Sequence, residues 1–256
     1  MSSLSYSNRH VQQLRRLLGR RSARHGDGLF VVEGPTLAAD AVAAGWKCLA
    51  QYVPEGADGV RGAGPVNQLA AGVLERVAST ESPQPPLVVV KLPPADPGVL
   101  DTAGLVVVAD RLNDPGNLGT ILRSSEAAGA DAVVLTPGSV DPYNPKAVRA
   151  SAGALFHIPV LTMSLDELSS HGLRLVGTSS HDLPARTVTA HTEADLTGRV
   201  ALVLGNEAAG LPAEWHDGAG PIEDWVTIRH RGRSESLNVA MAATVLAFEA
   251  ARQRDQ

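Results

Sequence analysis

Apolar runs alternate with amphipathic stretches over the second, larger part of the chain. Five of these runs are short, rich in Val, Leu and Ile, and apolar at nearly every position: residues 105–109, 132–136, 173–178, 201–205 and 225–228. Such runs are typical of strands that are buried on both faces of a parallel sheet. Helical periodicity lies between several of them, most clearly over residues 117–129 and 236–252. The alternation predicts an α/β fold for this part of the chain.

The first part of the chain begins with a predicted amphipathic helix over residues 7–21. Its apolar stripe consists of Val11, Leu14, Leu17 and Leu18. At about 100° per residue, the opposite face carries Arg9, Arg16 and Arg20 within about 40° of one another. A strand at residues 29–32, a helix at 36–44 and further alternation to about residue 92 follow. This part is therefore also predicted to be α/β.

A segment rich in Pro and Gly, residues 92–98, separates the two parts. That composition is typical of a linker, because Pro and Gly interrupt regular elements. We therefore predict a smaller α/β domain over residues 1–92, a linker over 93–101 and a larger α/β domain over 102–256.

Positive charge is concentrated at two places in a chain whose net charge is −5. Residues 1–26 contain six arginines and no acidic residue, and a second basic cluster occupies residues 229–233. Local concentration of charge matters more for phosphate binding than the total charge does. The arginine face of the first helix is therefore a candidate RNA-binding surface, although an ordinary solvated helix face gives the same pattern.

The composition disfavours several classes of protein. Cys48 is the one cysteine of the sequence, which excludes an intramolecular disulfide framework and a cysteine-based zinc cluster. No apolar stretch reaches the roughly 18 residues that a membrane-spanning helix needs, and the polar N-terminus is unlike a secretory signal. We expect a cytoplasmic protein with no membrane partner.

Three segments that follow or overlap the ends of predicted strands carry the candidate chemistry. They are Asn113-Asp114-Pro115-Gly116-Asn117-Leu118-Gly119-Thr120-Ile121-Leu122-Arg123, Leu202-Val203-Leu204-Gly205-Asn206-Glu207-Ala208-Ala209-Gly210-Leu211-Pro212, and residues 228–240, which include Ser236-Leu237-Asn238-Val239-Ala240. Ligands of open α/β sheets bind at the carboxyl ends of the strands. When each residue is considered by itself, Asn117 and Ser236 also suit helix capping, and Arg123 suits an exposed position on a helix. The common phosphate-loop, dinucleotide-binding and hydrolase signatures are absent from the sequence.

Together and in this order, the three segments closely resemble the motifs of the SpoU (TrmH) family in the SPOUT superfamily of methyltransferases. The resemblance extends from residue 105 to residue 250. Residues 1–92 resemble more loosely an RNA substrate-binding domain of the L30e-like fold, most clearly at Phe30-Val31-Val32-Glu33-Gly34. The resemblance implies a C-terminal SPOUT domain with a parallel sheet and a deep trefoil knot, preceded by a smaller L30e-like α/β domain.

The resemblance also implies an activity. Members transfer a methyl group from S-adenosyl-L-methionine to a ribose 2′-hydroxyl of tRNA or ribosomal RNA, act as homodimers and need no metal. Positions that match cofactor-binding residues are Gly205, Ile228 and Leu237. Positions that match residues tied to catalysis or to holding the site together are Asn117, Arg123, Glu207, Ser236 and Asn238. Candidate RNA-binding residues remain Arg9, Arg16 and Arg20.

Two features of the matched residues bear on mechanism. Arg123 takes the place of the arginine that family accounts describe as assisting loss of the hydroxyl proton. A guanidinium is effectively always protonated. Arg123 could therefore also stabilise a developing alkoxide or hold an RNA phosphate. Arg229-His230 replaces the usual Pro-Met after Ile228, which frees the loop backbone and adds two polar side chains beside the predicted cofactor position of Ile228. We expect Glu207 to hold the loop or the cofactor ribose, and His230 to be an exposed loop residue.

The N-terminal domain favours 23S ribosomal RNA as the substrate by analogy with relatives. The alternatives are a tRNA ribose methyltransferase and a non-catalytic RNA-binding ribosome-assembly factor with the same fold. A methyltransferase for proteins or small molecules is disfavoured by the basic N-terminal helix.

The C-terminal helix has no charged side chain from Leu237 to Phe248. One face contains Leu237, Met241, Thr244, Val245 and Phe248, and Leu246 lies well round from that face. A helix that is apolar on all sides must be buried on more than one side. We predict that one side packs on the sheet and another contacts a second copy across a two-fold axis. Leu246 is the position chosen to test the interface, and burial of the helix within one chain is the alternative.

Overall fold

The structure is a computed structural model that describes residues 3–233 and 236–255 of the chain. Its helices are α1 (Arg9–Gly19), α2 (Arg21–Asp27), α3 (Pro35–Ala43), α4 (Val73–Val77), α5 (Pro115–Ala127), α6 (Pro145–Ala150), α7 (Leu165–Ser169), α8 (Ala213–His216) and α9 (Val239–Arg254). Its strands are β1 (Leu29–Glu33), β2 (Cys48–Pro54), β3 (Val66–Leu69), β4 (Leu87–Lys91), β5 (Leu105–Ala109), β6 (Ala132–Leu135), β7 (Val160–Thr162), β8 (Arg174–Thr178), β9 (Val188–Ala190), β10 (Val200–Leu204) and β11 (Asp224–Thr227). Short 3₁₀ turns occupy Pro97–Asp101 and Ala154–Phe156.

The chain forms two compact units. The first combines Met1–Pro94 with Asp141–His157, and the second combines Ala95–Val140 with Ile158–Gln256. The excursion of the chain into the first unit at residues 141–157 is a long-range feature that the sequence patterns do not predict. The residues of the predicted linker include the 3₁₀ turn Pro97–Asp101.

The first unit contains a four-stranded mixed sheet with the order β1-β4-β2-β3. Helix α1 begins after Asn8, whose side chain accepts a hydrogen bond from the backbone of His10, and its predicted apolar stripe is buried. The first 26 residues are basic but not uniformly exposed. Arg24 is only 3% exposed and binds the Asp141 carboxylate at 2.6 Å and the Leu17 carbonyl at 2.8 Å. Arg24 therefore stabilises the fold, whereas Arg9, Arg16 and Arg20 are exposed.

The second unit contains a seven-stranded sheet with the order β7-β6-β5-β10-β8-β11-β9, and all of its neighbouring pairs are parallel. This confirms the predicted parallel α/β fold. Strand β10 is central, with Leu202 opposite Val107 of β5 and Val176 of β8. The trefoil knot stays a prediction.

The central strands are buried on both faces because their side chains alternate between two apolar clusters. Val106 and Val108 pack with α7 residues on one face, and Leu105 packs with Leu246 and Ala250 of α9 on the other. Strands β7 and β9 escaped sequence prediction because each has three residues and lies at an edge of the sheet, with only one residue fully buried.

Neither Asn117 nor Ser236, the two residues that also suit helix capping, caps its helix. Helix α5 is capped by Asp114, whose carboxylate accepts a hydrogen bond from the Asn117 backbone at 2.9 Å, so Asn117 lies inside the first turn. Helix α9 is capped by Asn238 instead of Ser236, with the Asn238 Oδ1 accepting from Ala240 N at 2.9 Å. Each actual cap lies where the backbone leaves the extended conformation, which a string of suitable residues does not reveal.

The choice of Leu246 as an interface position is also wrong. Its side chain is 1% exposed and packs on the sheet. The exposed apolar side chains of α9 are Met241 (61%), Val245 (37%) and Phe248 (48%), and Leu237 (38%) precedes the helix. The row of Met241, Val245 and Phe248, named the α9 surface below, is the face that is available to a partner. Among the described residues, no helix combines the length and the apolarity that crossing a bilayer requires.

Candidate active site

The carboxyl ends of β8, β10 and β11 meet at one edge of the parallel sheet and surround a cavity of about 570 Å³. The loop after β10 and the start of α9 complete its walls. The cavity brings together six of the predicted site residues: Gly205, Glu207, Ile228, Ser236, Leu237 and Asn238. Ser234 and Glu235, which lie within the third sequence segment, are outside the described residues.

The loop after β10 is folded back tightly on itself. The backbones of Asn206 and Gly210 exchange two hydrogen bonds of 3.1 and 2.9 Å, and Gly210 adopts the left-handed conformation with φ of 65°. A Cβ atom at Gly205 would overlap backbone atoms of Gly210 and Leu211. Position 205 therefore requires glycine because two stretches of backbone nearly touch there.

Glu207 holds this loop against the loop that precedes α5. Its carboxylate accepts hydrogen bonds from Asn113 N at 3.2 Å, Asp114 N at 3.1 Å and Asn117 Nδ2 at 3.1 Å. Partial burial acts to raise the pKa of Glu207, but these bonds and one from its own backbone favour the charged form and leave the pKa lowered. A carboxylate that is held ionised by donors is a poor proton acceptor, so its role is to position the two loops.

Asn117 extends the network to helix α9. Its Oδ1 accepts a hydrogen bond of 3.0 Å from Asn238 Nδ2, while its Nδ2 donates to Glu207. Because Asn238 also caps α9, one continuous line of hydrogen bonds joins three segments that are more than a hundred residues apart at the extremes. These neutral groups suit positioning more than proton transfer.

Arg123 does not join this cavity. It is exposed on α5, together with Thr120 and Ala127, as the helical periodicity predicts. Among the described residues no side chain or backbone group is hydrogen-bonded to its guanidinium, and it is absent from the cavity wall. Helices α5 and α9 nevertheless pack against each other. Arg123 therefore lies on the helix next to the one that carries the α9 surface.

Two sets of site residues were missed by sequence reasoning. Residues 178–181, Thr-Ser-Ser-His, line the cavity after β8, and Asn206 binds the Arg111 carbonyl at 2.7 Å through its side chain. Residues 178–181 follow a strand that was correctly predicted, so their position was an available signal. Asn206 carried no signal beyond its place between Gly205 and Glu207.

The cavity combines the surfaces that a nucleoside bearing an amino acid would need. Apolar side chains of Val226, Ile228 and Leu246 face hydroxyl groups and exposed backbone of the β8 and β10 loops. The expectation that His230 is an exposed loop residue is wrong, because its side chain is only partly exposed and lines the cavity. Within the described ranges, no group of three or more His, Cys, Asp or Glu side chains is arranged to hold a metal ion.

Comparison with known families identifies the class of protein. Residues 104–248 match the SpoU rRNA methylase family, and residues 8–87 match the MRM3-like substrate-binding domain. The chain therefore belongs to the SpoU methylase family.

Individual relatives agree with this assignment over most of the chain. The Bacillus subtilis 23S rRNA (guanosine(2553)-2′-O)-methyltransferase RlmP is 36% identical over 184 residues, which cover 70% of each chain. The Streptomyces viridochromogenes 23S rRNA (uridine(2479)-2′-O)-methyltransferase is 32% identical over alignments that cover 96% of this chain and 91% of that relative. The crystal structure of the SpoU methyltransferase AviRb from the same organism, in complex with AdoMet, superposes with a TM-score of 0.85 at 31% identity and covers 97% of this chain and 99% of that chain.

The contacts of Glu207 predict a pH-dependent contribution to stability. Its folded-state pKa lies below its ordinary value of 4.5, so its stabilising effect is complete above about pH 4.5 and is lost as the pH falls through the folded pKa. We expect Glu207→Gln to lower the Tm by about 2–4 °C at pH 7, and this difference to shrink at acidic pH. Thermal unfolding of the wild type and the variant, at pH 7 and at an acidic pH, measures this difference in Tm. Glu126→Gln, at an exposed position of α5, is the matched control, and an equal Tm difference at both pH values would contradict the account.

Proposed function

We propose that this protein transfers a methyl group from S-adenosyl-L-methionine to the 2′-hydroxyl of a ribose in 23S ribosomal RNA. The observation that carries the proposal is the hydrogen-bonded line from Glu207 through Asn117 to Asn238, whose two ends line the 570 Å³ cavity. Relatives that match most of the chain are named as 23S ribosomal RNA 2′-O-methyltransferases, and they support the same substrate class.

The cavity suits the proposed methyl donor. Ile228 and Leu237 offer apolar surface to an adenine, and the tight loop after Gly205 offers backbone donors and acceptors to the polar part. When bound, S-adenosyl-L-methionine supplies a methyl group that is already activated by a positively charged sulfur. The protein's task is then to hold the ribose oxygen in line with that methyl group and to assist loss of its proton.

Arg123 is the residue that we propose to act on the ribose hydroxyl. As the O–CH₃ bond forms and the S–CH₃ bond breaks, the hydroxyl loses its proton to solvent and negative charge develops on its oxygen. A guanidinium beside that oxygen stabilises the charge. Asn117, Ser236 and Asn238 position the ribose, and Glu207 fixes the loops that carry them.

The activity has a direct test. Purified protein, tritium-labelled S-adenosyl-L-methionine and total RNA are incubated together, and the product is treated with nuclease or with protease. We expect the label to appear in 23S ribosomal RNA and to be released by nuclease alone. Label that is released by protease, or label confined to tRNA, would contradict the proposed substrate.

We propose that residues 1–92 form the substrate-binding domain, with Arg9, Arg16 and Arg20 contacting RNA phosphates. All three side chains are exposed, and Arg9 and Arg16 lie on α1, which has no acidic residue in its first turn. The predicted helix over residues 7–21 is too long, because α1 ends at Gly19 and Arg20 is an extended residue between α1 and α2. Arg16 forms an ion pair with Asp27, with Arg16 Nη2 3.6 Å from the carboxylate. This ion pair is weak, because the Arg16 side chain is 57% exposed to solvent. The proposed location of the protein is the cytoplasm, where its RNA substrate is found.

The salt dependence of RNA binding tests these arginines. Each phosphate contact that is lost should flatten the log–log dependence of the binding constant on salt by just under one unit. We expect the triple substitution Arg9→Gln, Arg16→Gln, Arg20→Gln to flatten the slope by about two to three units. Filter binding over a salt series measures it, with Arg61→Gln in the same unit as a control. An unchanged slope would remove this helix from the RNA interface.

We also propose that the protein is a homodimer that uses the α9 surface. Its exposed apolar row lies on a helix whose other face is buried on the sheet, and a second copy would remove that row from water. Arg123 lies on α5, which packs against α9, and its guanidinium has no partner in the described part of its own chain. We propose that the same interface brings this guanidinium to the cavity of the other copy. Each active site would then be built from two protomers.

Sedimentation tests this interface. We expect the wild type to be dimeric at micromolar concentration, and Met241→Glu to be monomeric and to have lost most methyl transfer, because a charge there would be buried without a partner. Ser169→Glu, which adds the same charge at an exposed position of α7, should leave the dimer intact. A Met241→Glu variant that remains a dimer would exclude the α9 surface.

A further inference from the structure

A second cavity, of about 680 Å³, opens at the same edge of the sheet in the same unit. It lies at the ends of β5 and β6, whereas the first cavity lies at the ends of β8, β10 and β11. The loop after β10 separates the two, since its residues 205–210 line the first cavity and Pro212 lines the second. At the β5–β10 boundary the chain continues from β5 to β6 in one direction along the sheet and from β10 to β11 in the other. Folds of this class bind ligands at such a boundary.

We propose that this second cavity binds an unstacked guanine base of the RNA substrate, next to the ribose that receives the methyl group. The proposal rests on the proposed function for the identity of the polymer. It adds a base-recognition site, formed mainly by Arg111, Asp166 and Trp215, to which no role has been given so far.

Arg111 is held in place from three sides. Its backbone N–H donates to Thr136 Oγ1 at 2.9 Å, its carbonyl accepts from Asn206 Nδ2 at 2.7 Å, and its Nε donates to Asp110 Oδ2 at 2.9 Å. Its φ of 48° lies in the left-handed region, which is unfavourable for a residue other than glycine and persists only where surrounding contacts impose it. The bond to Asn206 ties the position of Arg111 directly to the loop that forms the first cavity.

Asp110 orients the Arg111 guanidinium but accepts hydrogen bonds from only part of it. The carboxylate is 4% exposed, and its other oxygen accepts a hydrogen bond of 2.7 Å from Thr136 Oγ1. The Arg111 side chain is 47% exposed, and Asp110 engages it at Nε, so both terminal Nη groups remain as donors. Asp110 is thus a positioning residue for Arg111.

Asp166, in the first turn of α7, supplies hydrogen-bond acceptors to complement the donors of Arg111. Its side chain is exposed at the cavity wall, and no hydrogen bond or ion pair within the described ranges engages its carboxylate. The cavity therefore presents two donors from Arg111 and two acceptors from Asp166. With Asp110 included, its charged side chains sum to a net negative charge, which disfavours a phosphate as the occupant.

Flat apolar surfaces complete the cavity. Trp215 and three prolines, Pro137, Pro212 and Pro221, line it. Gly220 lies directly against the indole of Trp215, because a Cβ atom there would overlap the indole. A tryptophan that is fixed in this way is a surface on which an unstacked RNA base can stack.

Guanine fits this set of groups better than the other bases. Its N1–H and N2–H groups point the same way and match the two oxygens of one carboxylate, as Asp166 provides. Its O6 and N7 are the acceptors to which arginine binds in a bidentate manner. Uracil offers a single N–H on its pairing edge, and cytosine and adenine do not offer the paired N–H groups.

Binding of mononucleotides tests the site without requiring methyl transfer. Trp fluorescence is titrated with guanosine and uridine 5′-monophosphate in the presence of S-adenosylhomocysteine. We expect guanosine monophosphate to quench the emission and to bind at least tenfold more tightly than uridine monophosphate. Asp166→Asn should weaken guanosine monophosphate at least tenfold and leave uridine monophosphate unchanged, Trp215→Phe should remove the quenching, and Glu126→Gln should behave as the wild type.

Equal affinity for the two mononucleotides, wild-type affinity in Asp166→Asn, or no binding at millimolar guanosine monophosphate would overturn the base site. In the transfer assay, Asp166→Asn should raise the KM for RNA about tenfold with kcat and S-adenosylhomocysteine affinity unchanged. Guanine-selective binding together with an absence of methyl transfer to RNA would leave the site standing and would count against the proposed function alone.

Discussion

Replacing Arg123 with alanine is expected to lower the rate of methyl transfer by about 100- to 1,000-fold, the size of effect seen when one stabilising donor is removed from a developing anion. The affinity for S-adenosylhomocysteine is expected to stay within about twofold of the wild type, because the proposed contact of Arg123 is with the ribose hydroxyl and not with the cofactor. Single-turnover transfer assays and calorimetry measure the two quantities. Arg123→Lys should recover part of the rate, since it keeps the charge but loses the planar fork.

The matched control is Thr120→Ala, which lies one turn earlier on the same exposed face of α5. It should transfer methyl groups at the wild-type rate. Near-normal turnover by Arg123→Ala would remove Arg123 from the mechanism, and a large loss of cofactor affinity would mean that Arg123 helps to form the cavity instead.

Replacing Gly205 with alanine is expected to weaken S-adenosylhomocysteine binding by at least about 100-fold. The added methyl group would overlap backbone atoms of Gly210 and Leu211, and backbone cannot move aside as a flexible side chain can. The loop would open, and the hydrogen bonds that Glu207 makes to Asn113 and Asp114 would be displaced with it.

Gly26→Ala is the control for this substitution, because a Cβ atom at position 26 meets open space. Circular dichroism of Gly205→Ala shows whether the sheet still forms, and only a folded variant bears on the cavity. A folded Gly205→Ala protein with wild-type affinity would show that the loop tolerates displacement and that the cofactor does not depend on it.

Much of the larger domain could be predicted from local sequence because its central strands are buried on both faces. Strand β5 is apolar at all five positions and was predicted with its observed bounds. The short edge strands β7 and β9 offered no such run, since their burial depends on elements that are distant in sequence. The inclusion of residues 141–157 in the first unit is likewise long-range, and the buried pair of Arg24 and Asp141 that helps hold them there is invisible to local patterns.

The site shows the same division. Its residues could be named from the spacing of three segments, but the roles of Glu207 and Asn117 depend on contacts across 90 residues of sequence. The apolar character of α9 predicted burial on more than one side, while only the packing on the sheet shows that Leu246 is inside and Met241 is outside. Arg111 carried no sequence signal, because its importance comes from an unusual backbone conformation and from bonds to Asp110, Thr136 and Asn206.

Mapping of ribose methylation tests the central claim most directly. Unmodified 23S ribosomal RNA is incubated with S-adenosyl-L-methionine and either the wild-type protein or Arg123→Ala, and every 2′-O-methyl group is located along the RNA. We predict a new 2′-O-methyl group at a defined nucleotide with the wild type and none with the variant. Two results together would contradict the account: the ribosomal RNA gains no ribose methylation, and the methyl group appears instead on tRNA, on a base or on a protein.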